Sequence, residues 1–262
     1  MIILIHSSKT MRSLVDRKLI LKHSQPEFID QANTLVDFIN RLNLNQLKDF
    51  MKISSDLAVK VQETYKQWGT NKANLAIKSF TGDIYSGLQA DKFSSNDLEF
   101  AQKHLRIISG LYGILKPLDL IKPYRLEMAY RLKGFNEPNL YKFWNSKLAE
   151  SLGGQDYILN LSSNEYYKAV AGHLDAEVKV ITPKFLTVDS KTNQPKFAAV
   201  HAKIARGAFA GWVIRKRLID SANLNSFNQL GYLFSPELSL SEDQPVFVCK
   251  HFGGKGLSLR LK

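Results

Sequence analysis

Apolar and polar positions follow two rhythms along this chain. Ile2, Ile3, Leu4 and Ile5 form an unbroken apolar run that gives way to His6, Ser7, Ser8 and Lys9. A run this short, rich in β-branched residues, predicts a buried strand running into a polar loop. The rhythm then lengthens. Phe28, Ala32, Leu35, Ile39 and Leu42 recur at spacings of four and three, which places them on one helical face. SSDLAVKVQETYKQWG repeats the scheme with a serine cap, an apolar face of Leu57, Val61, Tyr65 and Trp68, and Gly69 as a stop. In SSNDLEFAQKHLRIISG, Ser94 is the cap, with Asp97 three residues on. Leu98, Ala101, Leu105 and Ile108 share a face there, which predicts a helix running to Ser109 and ended by Gly110.

The second half is richer in strands. DYILNLSS, AEVKVITPKFLTV, KFAAVHA, GYLFS and PVFVCKHF read as strands, NEYYKAVAGHL as a short helix and KIARGAFAGWVIRKRLID as a long one. No internal repeat and no Gly/Ser or Pro linker divides the chain, so residues 1–262 are expected to form one domain. The fold class expected is α+β: a mixed sheet with surrounding helices, helical in the N-terminal half, with the sheet supplied mostly by the C-terminal half. The longest apolar run near the start, Met1–Ile5, is too short for a signal peptide or a membrane span. The expectation is a cytoplasmic protein without a membrane partner.

Composition sharpens this picture at two points. There are 36 Lys and Arg against 24 Asp and Glu, a net charge of +12. That balance favours a polyanionic partner, nucleic acid foremost, although surface lysine for solubility gives the same count. The single cysteine, Cys249, excludes an internal disulfide and a cysteine-rich zinc site, and it reads as a small apolar strand residue. Six histidines, His6, His23, His104, His173, His201 and His251, are scattered without helical ligand spacing. Neither a metal nor a cofactor is expected. Signatures of a P-loop, a dinucleotide fold, a zinc protease or a nucleophile elbow are missing from the sequence.

Three groups of residues carry candidate chemistry. The first is Ser109, Gly110, Leu111, Tyr112 and Gly113, with Arg106 before it and Lys116 after it. Helix, glycine hairpin and a second helix starting near Pro117 would make a helix-hairpin-helix, whose backbone amides grip phosphate without reading base edges. The competing reading is a packing turn. The second group is Lys203, Arg206 and Arg217, which fall within about 60° of one another on an ideal helix. Gly207 and Gly211 in that helix would permit close approach of another element or a ligand. The third is a charged cleft formed from polar residues at strand ends and turns: Lys9, Asp83, Tyr85, Arg125, Glu127, Asn160 and Ser162. Such a set could hold a phosphorylated small molecule as readily as it lines a DNA groove.

ILIHSSKTM, FTGDIYSGL, LRIISGLYGILKPLDLIKPYRLEM, YKFW, NLSSNEYYK, AKIARG, GYLFS and PVFVCK occur in this order. Together they resemble the YaaA-like peroxide-stress family of bacterial cytoplasmic proteins over nearly the whole chain. The resemblance implies one α+β domain with a basic cleft. It also implies non-specific binding of double-stranded DNA through a helix-hairpin-helix-like element, and protection from iron-linked oxidative damage. Carried over, the hairpin maps to Ser109–Gly113 and the cleft to Lys9, Arg125, Lys203 and Arg206. His6-Ser7 stands where members often have Ser-Pro. No reaction is implied, so an enzyme acting on a nucleotide or another phosphorylated small molecule is the alternative.

Overall fold

The computed structural model describes residues 1–12 and 23–258. In chain order the described strands are β1 (Ile2–His6), β2 (Asn74–Leu75), β3 (Leu105–Ser109), β4 (Gly113–Leu115), β5 (Leu120–Ile121), β6 (Tyr157–Asn160), β7 (Lys179–Ile181), β8 (Lys184–Val188), β9 (Pro195–Lys196), β10 (Tyr232–Phe234) and β11 (Val246–Cys249). The described helices are α1 (Ile29–Arg41), α2 (Leu44–Met51), α3 (Ser55–Lys66), α4 (Ala76–Ser79), α5 (Asp83–Leu88), α6 (Ser95–His104), α7 (Leu140–Trp144), α8 (Lys147–Glu150), α9 (Asn164–Ala171) and α10 (Ala199–Lys216). Among the described residues no helix is long and apolar enough to cross a membrane.

The architecture is α+β with mixed sheets, as the sequence predicts. The principal sheet has the order β4-β3-β1-β6-β7. β1 is its centre, parallel to β3 on one side and to β6 on the other, and β7 continues the parallel run. A parallel strand covered on both faces needs apolar residues on both, which is why Ile2–Ile5 does not alternate. A second sheet, in the order β10-β11-β8-β9, packs its inner face on α10. Phe185, Phe209, Phe227, Phe247 and Tyr232 interlock between them. Gly207 and Gly211 resolve as packing glycines. A Cβ on Gly207 would sit 1.8 Å from the Ile84 carbonyl, and one on Gly87 would sit 1.9 Å from that of Ile204, so α5 and α10 touch backbone to backbone.

Three expectations change. First, β1, β3 and β4 all come from the N-terminal half, so the principal sheet is not mostly C-terminal. Second, KFAAVHA contributes only the edge of β9 before α10 begins at Ala199. Third, the helix-hairpin-helix at 105–121 is not formed. α6 ends at His104, and Leu105–Ser109 is a parallel strand. GLYG turns that strand back antiparallel onto β4, with Ser109 opposite Gly113. The residues beyond Pro117 make the short strand β5 rather than a helix. The misreading has a physical cause: the spacing of Leu98 and Ala101 runs on by chance into Leu105 and Ile108. A short apolar run buried on both faces carries no period of its own.

Candidate functional site

The fully parallel part of the principal sheet has a point where its connections diverge. The chain leaves β1 toward β3 on one side and leaves β6 toward β7 on the other. The loops therefore part between the carboxyl ends of β1 and β6, the place where open α/β sheets form a crevice for ligands. The residues there are His6 and Ser7 after β1, and Asn160 to Ser163 after β6.

The loop after β6 is shaped by its own polar groups. Asn160 Oδ1 accepts from the Ser162 amide (3.1 Å) and hydroxyl (2.7 Å), while its Nδ2 donates to Thr182 (3.4 Å). Asn160 and Ser162 are buried in this role. They bring the Ser163 amide onto His6 Nδ1, at 3.2 Å. Because Nδ1 accepts, the proton of a neutral imidazole sits on Nε2. The ring lies along Tyr166 of α9 with centroids 4.9 Å apart. Burial, then the charges of Arg206 and Lys203, hold the His6 pKa down at about 3, so the imidazole is neutral at physiological pH. Tyr85 is buried and donates its hydroxyl to the His6 carbonyl (2.9 Å), and burial pushes its pKa well up. Its role is to pin the end of β1.

Two cations come from α10. Arg206 reaches the Ser162 carbonyl at 3.4 Å, and its pKa is lowered by burial. Among the described residues no carboxylate lies within ion-pair distance of Arg206 or Lys203. Two more cations adjoin from the other side. Lys9 pairs with Glu127, and Arg125 Nη2 meets the same carboxylate at 3.2 Å. Tyr130 donates its hydroxyl to Glu127 (2.6 Å), and Arg125 is held by Tyr65, whose hydroxyl donates to the Arg125 carbonyl (2.9 Å). Arg125 Nε is buried and has no hydrogen-bond partner among the described residues. A buried guanidinium donor left unsatisfied is costly, and an incoming oxyanion would satisfy it. Ser7 and Ser109 are buried against tyrosine hydroxyls. Ser7 Oγ lies 3.5 Å from the Tyr166 hydroxyl, and Ser109 Oγ lies 2.6 Å from that of Tyr124. Among the described residues no three His, Cys, Asp or Glu side chains gather to hold a metal ion.

Lys9, Tyr85, Arg125, Glu127, Asn160, Ser162, Lys203 and Arg206 are thus at or beside one cluster. Asp83 stands next to it: Ser258 donates to its carboxylate at 2.7 Å, and the adjoining Gly82 lies against Ser8. Other expected contacts move elsewhere. Ser109, Leu111 and Tyr112 are at most 1% exposed, and Gly110 and Gly113 are buried with them, so the GLYG turn offers nothing to a phosphate. Arg106 spends Nη1 on the carbonyls of Gln102 and Leu105 at the end of α6, and the Lys116 amide is taken by Asp119 (2.7 Å). Arg217 lies just beyond α10 in a left-handed turn and faces Asp97 at 3.7 Å. Fourteen residues at about 1.5 Å rise each separate it from Lys203 along the axis, so angular agreement on a helical wheel does not make one patch.

The capped helix expected at SSDLAVKVQETYKQWG forms as α3, and a preceding helix, α2, that the sequence did not lead us to expect packs against it. α2 and α3 pack against each other across a three-residue turn of Lys52, Ile53 and Ser54. Lys52 adopts the left-handed conformation (φ 50°), and Ser54 caps α3 by accepting from the Leu57 amide. Lys48, Lys52 and Lys60 are exposed around the turn. Phe50 of α2 packs edge-on against Tyr130 (5.4 Å), the residue that donates to Glu127. The signal was present in LKDFMKISSDLAVKV: two apolar-periodic stretches with a serine cap between them.

A family model described as peroxide stress protein YaaA matches residues 1–238. A UPF0246 protein of Salinispora tropica is 44% identical over 262 residues, covering 99% of this chain and 98% of that protein. UPF0246 proteins of Cellvibrio japonicus and Pseudoalteromonas translucida are 43% and 40% identical, covering 86% and 87% of this chain and 90% of each relative.

Proposed function

The chain belongs to the YaaA peroxide-stress family, and from that premise we propose that it binds double-stranded DNA without sequence preference, in the cytoplasm, and so protects DNA from iron-linked oxidation. The binding surface on this reading runs from the α2–α3 turn to the strand-end cations. One observation carries it: Phe50, Tyr130 and Glu127 link the exposed turn to Lys9 and Arg125 by direct contact. On this reading the packed pair α2 and α3, with Lys48, Lys52 and Lys60 exposed around its turn, serves as the helix-hairpin-helix-like element that grips phosphate. The net charge of +12 supports the same partner.

The reading is tested by fluorescence anisotropy with two unrelated duplexes of equal length. The wild type binds both alike. Lys52→Gly, which suits the left-handed backbone, and Lys203→Ala weaken both by the same factor, while Arg217→Ala leaves them unchanged. Binding that prefers one duplex strongly, or that ignores Lys52 and Lys203, contradicts the proposal.

A second reading, an enzyme or binder for a phosphorylated small molecule, is favoured by the position of His6 and Arg206 at the divergence of β1 and β6, where small ligands bind in open α/β sheets. A thermal shift with nucleotides that disappears in Arg206→Lys would establish it, since a ligand of the native state stabilises that state.

A further inference from the structure

A second group of cations lies on the other sheet. A cavity of about 470 Å³ opens at the start of α10, lined by Thr187, Lys196, His201, Lys250 and Lys255 among others. Its size suits a small metabolite, far below what a duplex requires. Lys196 is spent on Asp189, whose carboxylate also accepts the amides of Lys191 (2.8 Å) and Thr192 (3.2 Å). Lys250 and Lys255 are exposed, and among the described residues no carboxylate lies within ion-pair distance of either. The one acid at the wall is therefore neutralised, and two ammonium groups remain free.

The floor and the wall are built. His201 Nδ1 shares a hydrogen bond with Thr187 Oγ1 (3.0 Å), which in turn meets the Tyr232 hydroxyl (3.3 Å). The imidazole lies flat on Phe252, 3.9 Å between centroids and 9° between planes. Burial and the charge of Lys255 both lower the His201 pKa. The chain that carries Lys255 folds back over Phe252 because residue 254 is glycine: a Cβ there would meet the Phe252 ring at 2.4 Å. Gly256, at φ +84°, completes the turn.

We propose that this cavity binds a small phosphate monoester, its terminal phosphate held between Lys250 and Lys255 over the His201–Thr187 floor. A dianion matches two unpaired ammonium groups, and the floor adds one donor to its oxygens: His201 Nε2–H when Nδ1 accepts from Thr187, or the Thr187 hydroxyl when Nδ1–H donates to it. This site does not depend on the DNA-binding reading, since none of its residues belongs to the strand-end cluster.

The test is isothermal titration of the full chain at constant ionic strength with inorganic phosphate, adenosine monophosphate and a duplex oligonucleotide in separate arms. The expected result is saturable binding of the monoester that weakens about tenfold or more in Lys250→Ala/Lys255→Ala, with duplex affinity changed far less. Both lysines are exposed, and circular dichroism verifies that the variant is folded. The proposal is overturned if the monoester gives no saturable heat or binds the double variant as well as the wild type. It is equally overturned if Arg206→Lys, rather than the lysine pair, abolishes binding, or if only the duplex arm responds to the lysine pair.

Discussion

His6 shows how one side chain records its surroundings. Its Nδ1 accepts from a backbone amide, its ring stacks on Tyr166, and two cations of α10 bear on it. Burial first, and then the charges of Arg206 and Lys203, favour the neutral form, and the folded-state pKa of about 3 lies below the ordinary value of 6.5. Between these two values the unfolded chain binds the extra proton. The associated stability is therefore fully present above about pH 6.5 and is lost as pH falls toward 3, by at most about 1.4 kcal/mol per pH unit. Chemical denaturation at pH 7, 5.5 and 4 should show wild-type stability falling more steeply than that of His6→Gln, which keeps an acceptor and removes the titration. Equal slopes would mean that His6 is protonated in the folded protein. In sequence His6 looked like one of six scattered histidines. What distinguishes it, the loop folded back from β6, lies more than 150 residues away in the chain.

At the scale of elements, the two glycines of GLYG work for the core. A Cβ on Gly110 would sit 2.4 Å from the Leu126 carbonyl, and the Gly110 carbonyl itself accepts from Trp144 Nε1 (3.1 Å). Gly110→Ala should cost about 1–3 kcal/mol, the usual range for overpacking, and leave the duplex affinity of the folded protein intact. A variant of normal stability that no longer binds duplex would return the phosphate grip to this turn. Much of the element pattern was legible beforehand. The apolar face of α1, the serine caps before α3 and α6 and the strand begun at Ile2 are where periodicity and capping put them, while the long helix α10 starts and ends four residues earlier than KIARGAFAGWVIRKRLID. The boundary between α6 and β3 was not, because the two share an apolar spacing and no Gly or Pro separates them. The site was half legible. Lys9, Arg125, Glu127, Lys203 and Arg206 stood out as charges beside strands and glycines, whereas Tyr130 and Tyr166 enter through contacts made only in three dimensions.

For the whole molecule, the net charge of +12 bears on the choice of partner. Four cations, Lys9, Arg125, Lys203 and Arg206, gather about the ends of the parallel strands with Glu127 among them, and the lysines of the α2–α3 turn adjoin through Phe50 and Tyr130. If this surface follows a phosphate backbone, binding releases condensed counterions, and the logarithm of the affinity falls linearly with the logarithm of salt concentration, by about 0.9 for each phosphate engaged. The decisive measurement is that slope, taken by anisotropy on one duplex for the wild type and for Lys52→Gly/Lys203→Ala. A steep wild-type slope that becomes shallower by about two in the double variant is the predicted result. A flat wild-type slope, or a steep one that the double variant reproduces, would contradict the assignment of this surface to DNA.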